Sequence, residues 1–298
     1  MTESSLDPRI HAYLPEIADI RLRGQVDAKL FVEGSPGRIA LPAAPLRRRP
    51  AHEAPYDSQL LLGERVRVFG DGGDGWSWLQ NEADDYVGFV RRDAVGPDDP
   101  VPTHRVTALR TFVYPGPDVK LPPTATLSIG SLIALAGEVE TRGTRFLLAA
   151  RGTRAIVAAH VASLAAPAEP DYVAVAERFL STPYLWGGRT SIGLDCSALV
   201  QLSLAAAGIA CPRDSDMQSE RLGVAVEGGV AGALRRGDLV FWRGHVAILT
   251  APDRVVHASG HHMTVVTEPL AEAVSRIAET AGPPTVVRRI GAAQAAGY

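Results

Sequence analysis

The sequence predicts an α+β protein: two small β-barrels followed by a C-terminal domain built from a helix and an antiparallel sheet. Three stretches carry that expectation. Residues 56–95 break into short β runs separated by glycine and aspartate turns, the texture of a small barrel. Tyr184 to Leu204, YLWGGRTSIGLDCSALVQLSL, joins an aromatic–glycine loop to an amphipathic run that Gly208 stops. Leu239–Trp242, His245–Thr250, Arg254–Ala258 and Met263–Val266 are four β runs joined by hairpin-length turns, so the sheet follows the helix in the chain.

Size and composition bound the rest. A chain of 298 residues can bury two or three separate cores, and 46% apolar with 21% charged residues is ordinary for a globular protein. A net charge of −3 gives no reason to expect nucleic acid, and the basic run Arg47-Arg48-Arg49 reads as a solvated linker face. Two cysteines allow at most one disulfide, which excludes a disulfide-stapled secreted scaffold. The opening residues lack a basic segment followed by an apolar core, and no run reaches the roughly 20 apolar residues that span a bilayer. No membrane partner and a cytoplasmic location are therefore expected.

In chain order, residues 1–50 read as an N-terminal arm, with β patches at Leu30–Val32 and Ile39–Leu41 and an extended wrap at Pro42, Pro45 and Pro50. Residues 51–98 form the first barrel, with strands at Ser58–Leu62, Arg65–Phe69, Trp76–Gln80 and Tyr86–Val90 and a hairpin at DGGDGW, Asp71–Trp76. The string LLGERVRVFG, GWSWLQN, DDYVGFVRRDAV resembles a bacterial SH3-like domain. Residues 99–166 repeat the pattern, with strands at Thr103–Thr111, Ala125–Ser128, Leu132–Ala136, Phe146–Ala149 and Arg154–Ala158, and a second SH3-like barrel is expected there. A linker at Ala165–Pro170 leads to the C-terminal domain, 167–298, in which Asp171 caps a helix running to Leu180.

The chemistry centres on Cys196. With Asp195 as N-cap, the thiol sits among the free N–H groups of a helix start, where the positive end of the helix favours the nucleophilic thiolate. A nucleophile needs a base, and the base needs a partner that holds its tautomer. His245 and His257 are twelve positions apart across a hairpin near Pro252, a spacing that brings neighbouring antiparallel strands side by side at about 5 Å. Other readings stay open at this point. A histidine at a strand start also fits a satisfied surface residue, Cys196 and Cys211 a disulfide, and Cys196, His245 and His257 a zinc set, although no Cys-x-x-Cys or His-x-x-x-His spacing accompanies them.

Five ordered motifs, Tyr184-Leu185-Trp186-Gly187-Gly188, Asp195-Cys196-Ser197, Pro212-Arg213-Asp214-Ser215-x-x-Gln218, Gly237-Asp238-Leu239-Val240-Phe241 and His245-Val246-Ala247-Ile248, resemble those of NlpC-type cysteine peptidases. The resemblance covers roughly residues 170–290. It implies a papain-like catalytic domain, a Cys196–His245–His257 triad, hydrolysis of peptidoglycan peptides and no metal or organic cofactor. Ala198 stands where that family usually has glycine after Asp-Cys-Ser. The whole architecture is similar to the dipeptidyl-peptidase VI branch, which cuts the γ-D-glutamyl–diamino acid bond of murein peptides with a free N-terminal L-Ala. By that likeness Asp214 and Ser215 bind the free amine, for which a carboxylate and a hydroxyl are apt partners. Tyr184, Asp195 and Ser197 line the substrate site, Tyr184 with a hydroxyl near the developing oxyanion. Tyr86 of the first barrel, with Glu53 or Glu64, closes one end of the cleft. The implied role is murein-peptide recycling. An acyltransferase or amidase on another substrate, or an inactive wall-peptide binding module, are the alternatives.

Overall fold

In the first barrel the turn chemistry is where the sequence puts it. Strands Arg65–Gly73 and Trp76–Asn81 meet at Asp74-Gly75, whose φ values of 45° and 79° make the type I′ turn that suits a two-residue hairpin. In the computed structural model, which describes residues 6–291, these strands belong to a five-stranded antiparallel sheet. Its order is Val87–Arg91, Trp76–Asn81, Arg65–Gly73, Ser35–Ile39, Val95–Gly96. A further ladder pairs Ala43–Leu46 with Ser58–Leu61. Period-two alternation sends Val66, Leu79 and Val90 to one core with Ile39, Leu46 and Leu60. Phe69, Trp76, Trp78 and Phe89 form a second core on the other side.

The arm expected over 1–50 is corrected in part. From Ser35 onward the chain is barrel: Ser35–Ile39 pairs with Arg65–Val68, and Pro45 stands opposite Gln59. Prolines that read as an extended wrap are tolerated here because their positions lie where the ladder needs no donor from them. Only Ile17–Asp19 and Leu30–Val32, a short parallel pair, precede the barrel as strands among the described residues.

Eight further short strands lie between His104 and Ser163 around Val106, Val113, Leu127, Leu135 and Ile156. The run expected as one strand over Thr103–Thr111 is split into His104–Val106 and Arg110–Val113. The Thr107 and Ala108 N–H groups both turn to the His160 carbonyl, at 3.0 and 3.2 Å, and so leave the ladder. The N-terminal unit ends at Ala165 and a second compact unit begins at Ala166.

The second unit opens with α1, Tyr172–Glu177, capped by Asp171, whose Oδ1 accepts from the Val173 and Ala174 N–H groups. It is shorter than expected because its end tightens. Phe179 and Leu180 bond three residues back, to the Ala176 and Glu177 carbonyls, and Ser181 takes a positive φ of 67°. Next come α2 (Cys196–Ala206), α3 (Ser215–Arg221) and α4 (Leu270–Ala281). The sheet has six antiparallel strands, β1 (Val224–Ala225), β2 (Leu239–Trp242), β3 (His245–Ala251), β4 (Arg254–Ser259), β5 (Thr264–Pro269) and β6 (Val286–Arg289). Their order is β1-β6-β2-β3-β4-β5. One face, with Val240, Ala247, Leu249 and Val255, is covered by Leu270, Ala273 and Ile277 of α4.

The helix α2 packs on α1 and across β3 and β4. It is not the one-faced helix the sequence suggests. Every residue from Cys196 to Leu204 is buried, its polar side chains satisfied inside, Gln201 donating to the Cys211 carbonyl and Ser203 to the Leu199 carbonyl, which marks it as the unit's central helix. Leu199→Ala, at a position 1% exposed, is expected to cost about 2–5 kcal/mol. Urea unfolding followed by tryptophan fluorescence measures it.

Candidate active site

The site is built upward from Asp195. Its backbone is extended (φ −96°, ψ 179°) and its Oδ1 accepts from the Ala198 N–H at 2.8 Å, so it is the N-cap of α2 and places Cys196 in the first turn. Oδ2 accepts from the Gly187 N–H at 3.0 Å, which ties the aromatic–glycine loop to the helix start. Gly187 holds a φ of 68°, and a Cβ on Gly188 would come within 2.7 Å of the Gly193 carbonyl oxygen. The two glycines let the loop close on the cap.

A buried guanidinium completes this cap. Arg213, 1% exposed, forks onto both Asp195 oxygens, Nη1 to Oδ1 at 3.0 Å and Nη2 to Oδ2 at 2.7 Å. Its Nη1 also donates to Ser197 Oγ at 2.8 Å, and that hydroxyl donates to Asp195 Oδ1 at 3.0 Å. Planar, two-pronged pairing is what allows a buried carboxylate to remain charged. Gln218 joins α3 to the same point, donating to the Ser197 and Pro212 carbonyls at 3.0 and 2.8 Å. Asp195 and Ser197, expected to touch substrate, are therefore corrected: both side chains turn inward and hold the helix start, 8% and 6% exposed.

Cys196 faces the sheet. Burial pushes its thiol up to about 12, and the Asp195 carboxylate acts in the same direction. The Val246 and Ser197 N–H groups and Arg213 pull it back. The favourable helix-start effect is present, but desolvation outweighs it, so the resting form is the thiol. Val246 directly follows His245, which opens β3, and its bond to the sulfur brings that strand end to the nucleophile.

From His245 a chain of hydrogen bonds leads into the protein. His245 Nε2 meets His257 Nδ1 at 2.7 Å, the rings 5.0 Å apart and nearly edge-on. His257, 1% exposed, meets Glu268 Oε1 through Nε2 at 2.6 Å, and Arg276 of α4 bonds the same oxygen. Burial, helped by His257 and Arg276, depresses the His245 imidazole to about 3. Glu268 is pushed up by burial but pulled down further by its bonds to His257 and Arg276, ending at about 2. Thiol, neutral imidazole and carboxylate thus coexist at neutral pH.

Tyr184 bridges Leu194 and donates its N–H to the Met263 carbonyl at 3.0 Å. Burial, with the nearby Cys196 and Asp195, raises its phenol, which keeps the hydroxyl a donor beside the thiol. Asp214 precedes α3 as its N-cap and Ser215 begins it, both half-buried. Tyr86 is corrected to a packing role: it is 2% exposed in the first barrel's core, beside Leu46, Leu79 and Val90. Of the two glutamates weighed with it, Glu64 is buried and accepts from the Leu61 N–H at 2.9 Å, whereas Glu53 is exposed. Both cysteines are free thiols. Among the described residues no group of three His, Cys, Asp or Glu side chains is arranged to hold a metal.

Three functional side chains escaped the sequence reading: Arg213, Glu268 and Arg276. Arg213 stands in the Pro212-Arg213-Asp214-Ser215 motif, where nothing in the linear sequence links it to Asp195. Glu268 had no local signal either, since only the pairing of β5 with β4 brings it to His257. Arg276 had no such signal, since a helix face brings it in.

Breaking the buried pair with Arg213→Met should destabilise the protein by about 3–5 kcal/mol, because it strands the Asp195 charge, and Arg213→Lys should not restore the two-pronged contact. Urea midpoints test both. A second expectation concerns acid. A histidine depressed from 6.5 to about 3 supports the fold fully above pH 6.5 and loses that support as pH falls through 3. Glu268, lowered from 4.5 to about 2, adds a loss over that lower interval. His245→Asn should therefore lose less stability than wild type between pH 6.5 and 3, measured as urea midpoints along that series.

Both units of the chain resemble known proteins. Residues 181–278 match the NlpC/P60 family, and residues 46–95 match the bacterial dipeptidyl-peptidase Sh3 domain. Dipeptidyl-peptidase 6 of Lysinibacillus sphaericus is 25% identical over 234 residues, covering 72% of this chain and 84% of that one. A gamma-D-glutamyl-L-lysine dipeptidyl-peptidase of Bacillus cereus is 35% identical over 112 residues, covering 35% of this chain and 32% of its own length. The crystal structure of an NlpC/P60 family protein from Bacillus cereus superposes with a TM-score of 0.71 at 22% identity, covering 86% of this chain and 99% of that one. The chain joins an SH3-like N-terminal domain to a papain-like C-terminal domain of the NlpC/P60 type.

Proposed function

We propose that this protein is a cysteine peptidase that hydrolyses the γ-D-glutamyl–diamino acid bond of murein peptides bearing a free N-terminal L-Ala. The observation that carries the reading is Cys196 at a capped helix start beside the His245–His257 chain. The half-buried Asp214–Ser215 pair supports the amine preference, as do relatives named dipeptidyl-peptidase 6 and gamma-D-glutamyl-L-lysine dipeptidyl-peptidase. Recycling of wall peptides in the cytoplasm, without metal or organic cofactor, is the role this implies. A second SH3-like barrel over 99–166 belongs to the same proposal.

Proton transfers through His245 organise both halves of the mechanism. His245 takes the Cys196 proton as sulfur attacks the γ-carbonyl carbon. The oxyanion forms against N–H groups at the start of α2, with the Tyr184 hydroxyl as a further donor; none of the described hydrogen bonds occupies the Cys196 N–H. The intermediate collapses to a thioester, and the departing amine takes the proton from His245. Water, deprotonated by the same imidazole, then hydrolyses the thioester and frees L-Ala-D-Glu and the thiol. Because both partners rest neutral, the ion pair arises only as the substrate displaces water and charge develops.

The test is mass spectrometry of products from L-Ala-γ-D-Glu-diaminopimelate, run beside its N-acetylated form and the Cys196→Ala protein. Release of L-Ala-D-Glu from the free-amine peptide alone, and none from the variant, is the expected result. Cleavage of both peptides would remove the amine requirement and with it the role of Asp214. An acyl acceptor outcompeting water would indicate transferase chemistry, and no cleavage by the intact protein would overturn the reading.

A further inference from the structure

The polar chain does not stop at the second histidine. On β5, Val266 stands opposite His257, and Glu268 lies two residues further along the same face, within diagonal reach. Glu268 is 8% exposed, and its Oε1 receives both His257 Nε2 at 2.6 Å and the Arg276 guanidinium. An ionised carboxylate only accepts hydrogen bonds, so the shared proton with His257 resides on Nε2. With a single proton on its ring, His257 has a bare Nδ1, and the 2.7 Å contact then takes the His245 proton on Nε2. One nitrogen remains, His245 Nδ1, and none of the described hydrogen bonds occupies it.

We propose that Glu268, braced by Arg276, sets the tautomer of both histidines and leaves His245 Nδ1 as the free basic nitrogen for the Cys196 proton. Glu268 and Arg276 are positioning residues acting through His257; neither meets the thiol. Without the carboxylate the chain can run in either direction, and the reversed one protonates Nδ1 and removes the base. Glu268 also supplies a counter-charge for the imidazolium formed when His245 takes the proton. The other charged groups around the pair are Arg276 behind Glu268, and Asp195 and Arg213 behind Cys196. Trp242, packed on His245 with ring centroids 5.7 Å apart, is uncharged.

This inference rests on His245 serving as the base of the proposed peptidase, but its test does not need the substrate. The full chain carrying 15N-histidine is examined by NMR near neutral pH, with signals assigned through His245→Asn and His257→Asn. Both rings are expected to carry the proton on Nε2 and none on Nδ1. A His245 ring protonated on Nδ1 in the wild type would overturn the proposal, whatever any variant does. Glu268→Ala is expected to mix the tautomers and slow iodoacetamide alkylation of Cys196 roughly 10- to 100-fold. Glu268→Gln, whose carbonyl oxygen still accepts from both partners, should keep the tautomers, and Arg276→Lys should keep them as well. A Glu268→Ala protein that is merely less stable, with unchanged tautomers and alkylation, would make Glu268 structural and contradict the proposal. Peptide cleavage together with the wrong tautomers removes this inference alone. The right tautomers without cleavage remove the substrate assignment alone.

Discussion

The two-pronged pair between Asp195 and Arg213 determines where the nucleophile helix begins, and much of the C-terminal unit's geometry follows from that point. One carboxylate caps α2, secures the Gly187 loop and orients Ser197. Because it is buried, the carboxylate is tolerable only with a guanidinium of matching shape against both oxygens. Arg213 comes from the segment leading into α3, so the same contact fixes the place of Asp214 and Ser215 relative to the thiol.

That arrangement has an electrostatic consequence for Cys196. A carboxylate beside a buried sulfur opposes thiolate formation, and burial opposes it more strongly. The helix start, the Val246 N–H and Arg213 soften this opposition without reversing it. On the other side, His245 is depressed by burial and by the positive reach of Arg276. Both members of the pair are thus neutral at rest, and reactivity depends on where the last proton of the histidine chain lies. The chain ends on a carboxylate kept ionised by Arg276, which gives it a direction.

The sequence was most informative where local chemistry decides structure. Asp74-Gly75 as a hairpin turn, Asp171 and Asp195 as caps, and the hairpin that pairs His245 with His257 all follow from residue types at short range. It misled where a polar side chain has an inward partner from a distant segment. Asp195 and Ser197 read as substrate contacts because Arg213, sixteen or more residues on, has no visible claim on them in the linear sequence. Tyr86 read as a cleft residue, although in the strand's alternation it falls in the core. Pro42 and Pro45 concealed the strand Ala43–Leu46, which pairs with Ser58–Leu61 in a two-stranded ladder. Glu268 and Arg276 were hidden for a further reason: their role depends on β5 and α4 packing over the second histidine, and neither motif nor spacing encodes that contact.

Covalent acylation of Cys196 is open to direct measurement by acid-quenched intact-protein mass spectrometry during turnover of L-Ala-γ-D-Glu-diaminopimelate. The predicted result is a transient adduct with the mass of the L-Ala-γ-D-glutamyl group, mapped to the peptide bearing Cys196 and absent from the His245→Asn protein. Turnover by the wild type with no adduct at any quench time, or an adduct on Cys211 instead, would contradict it.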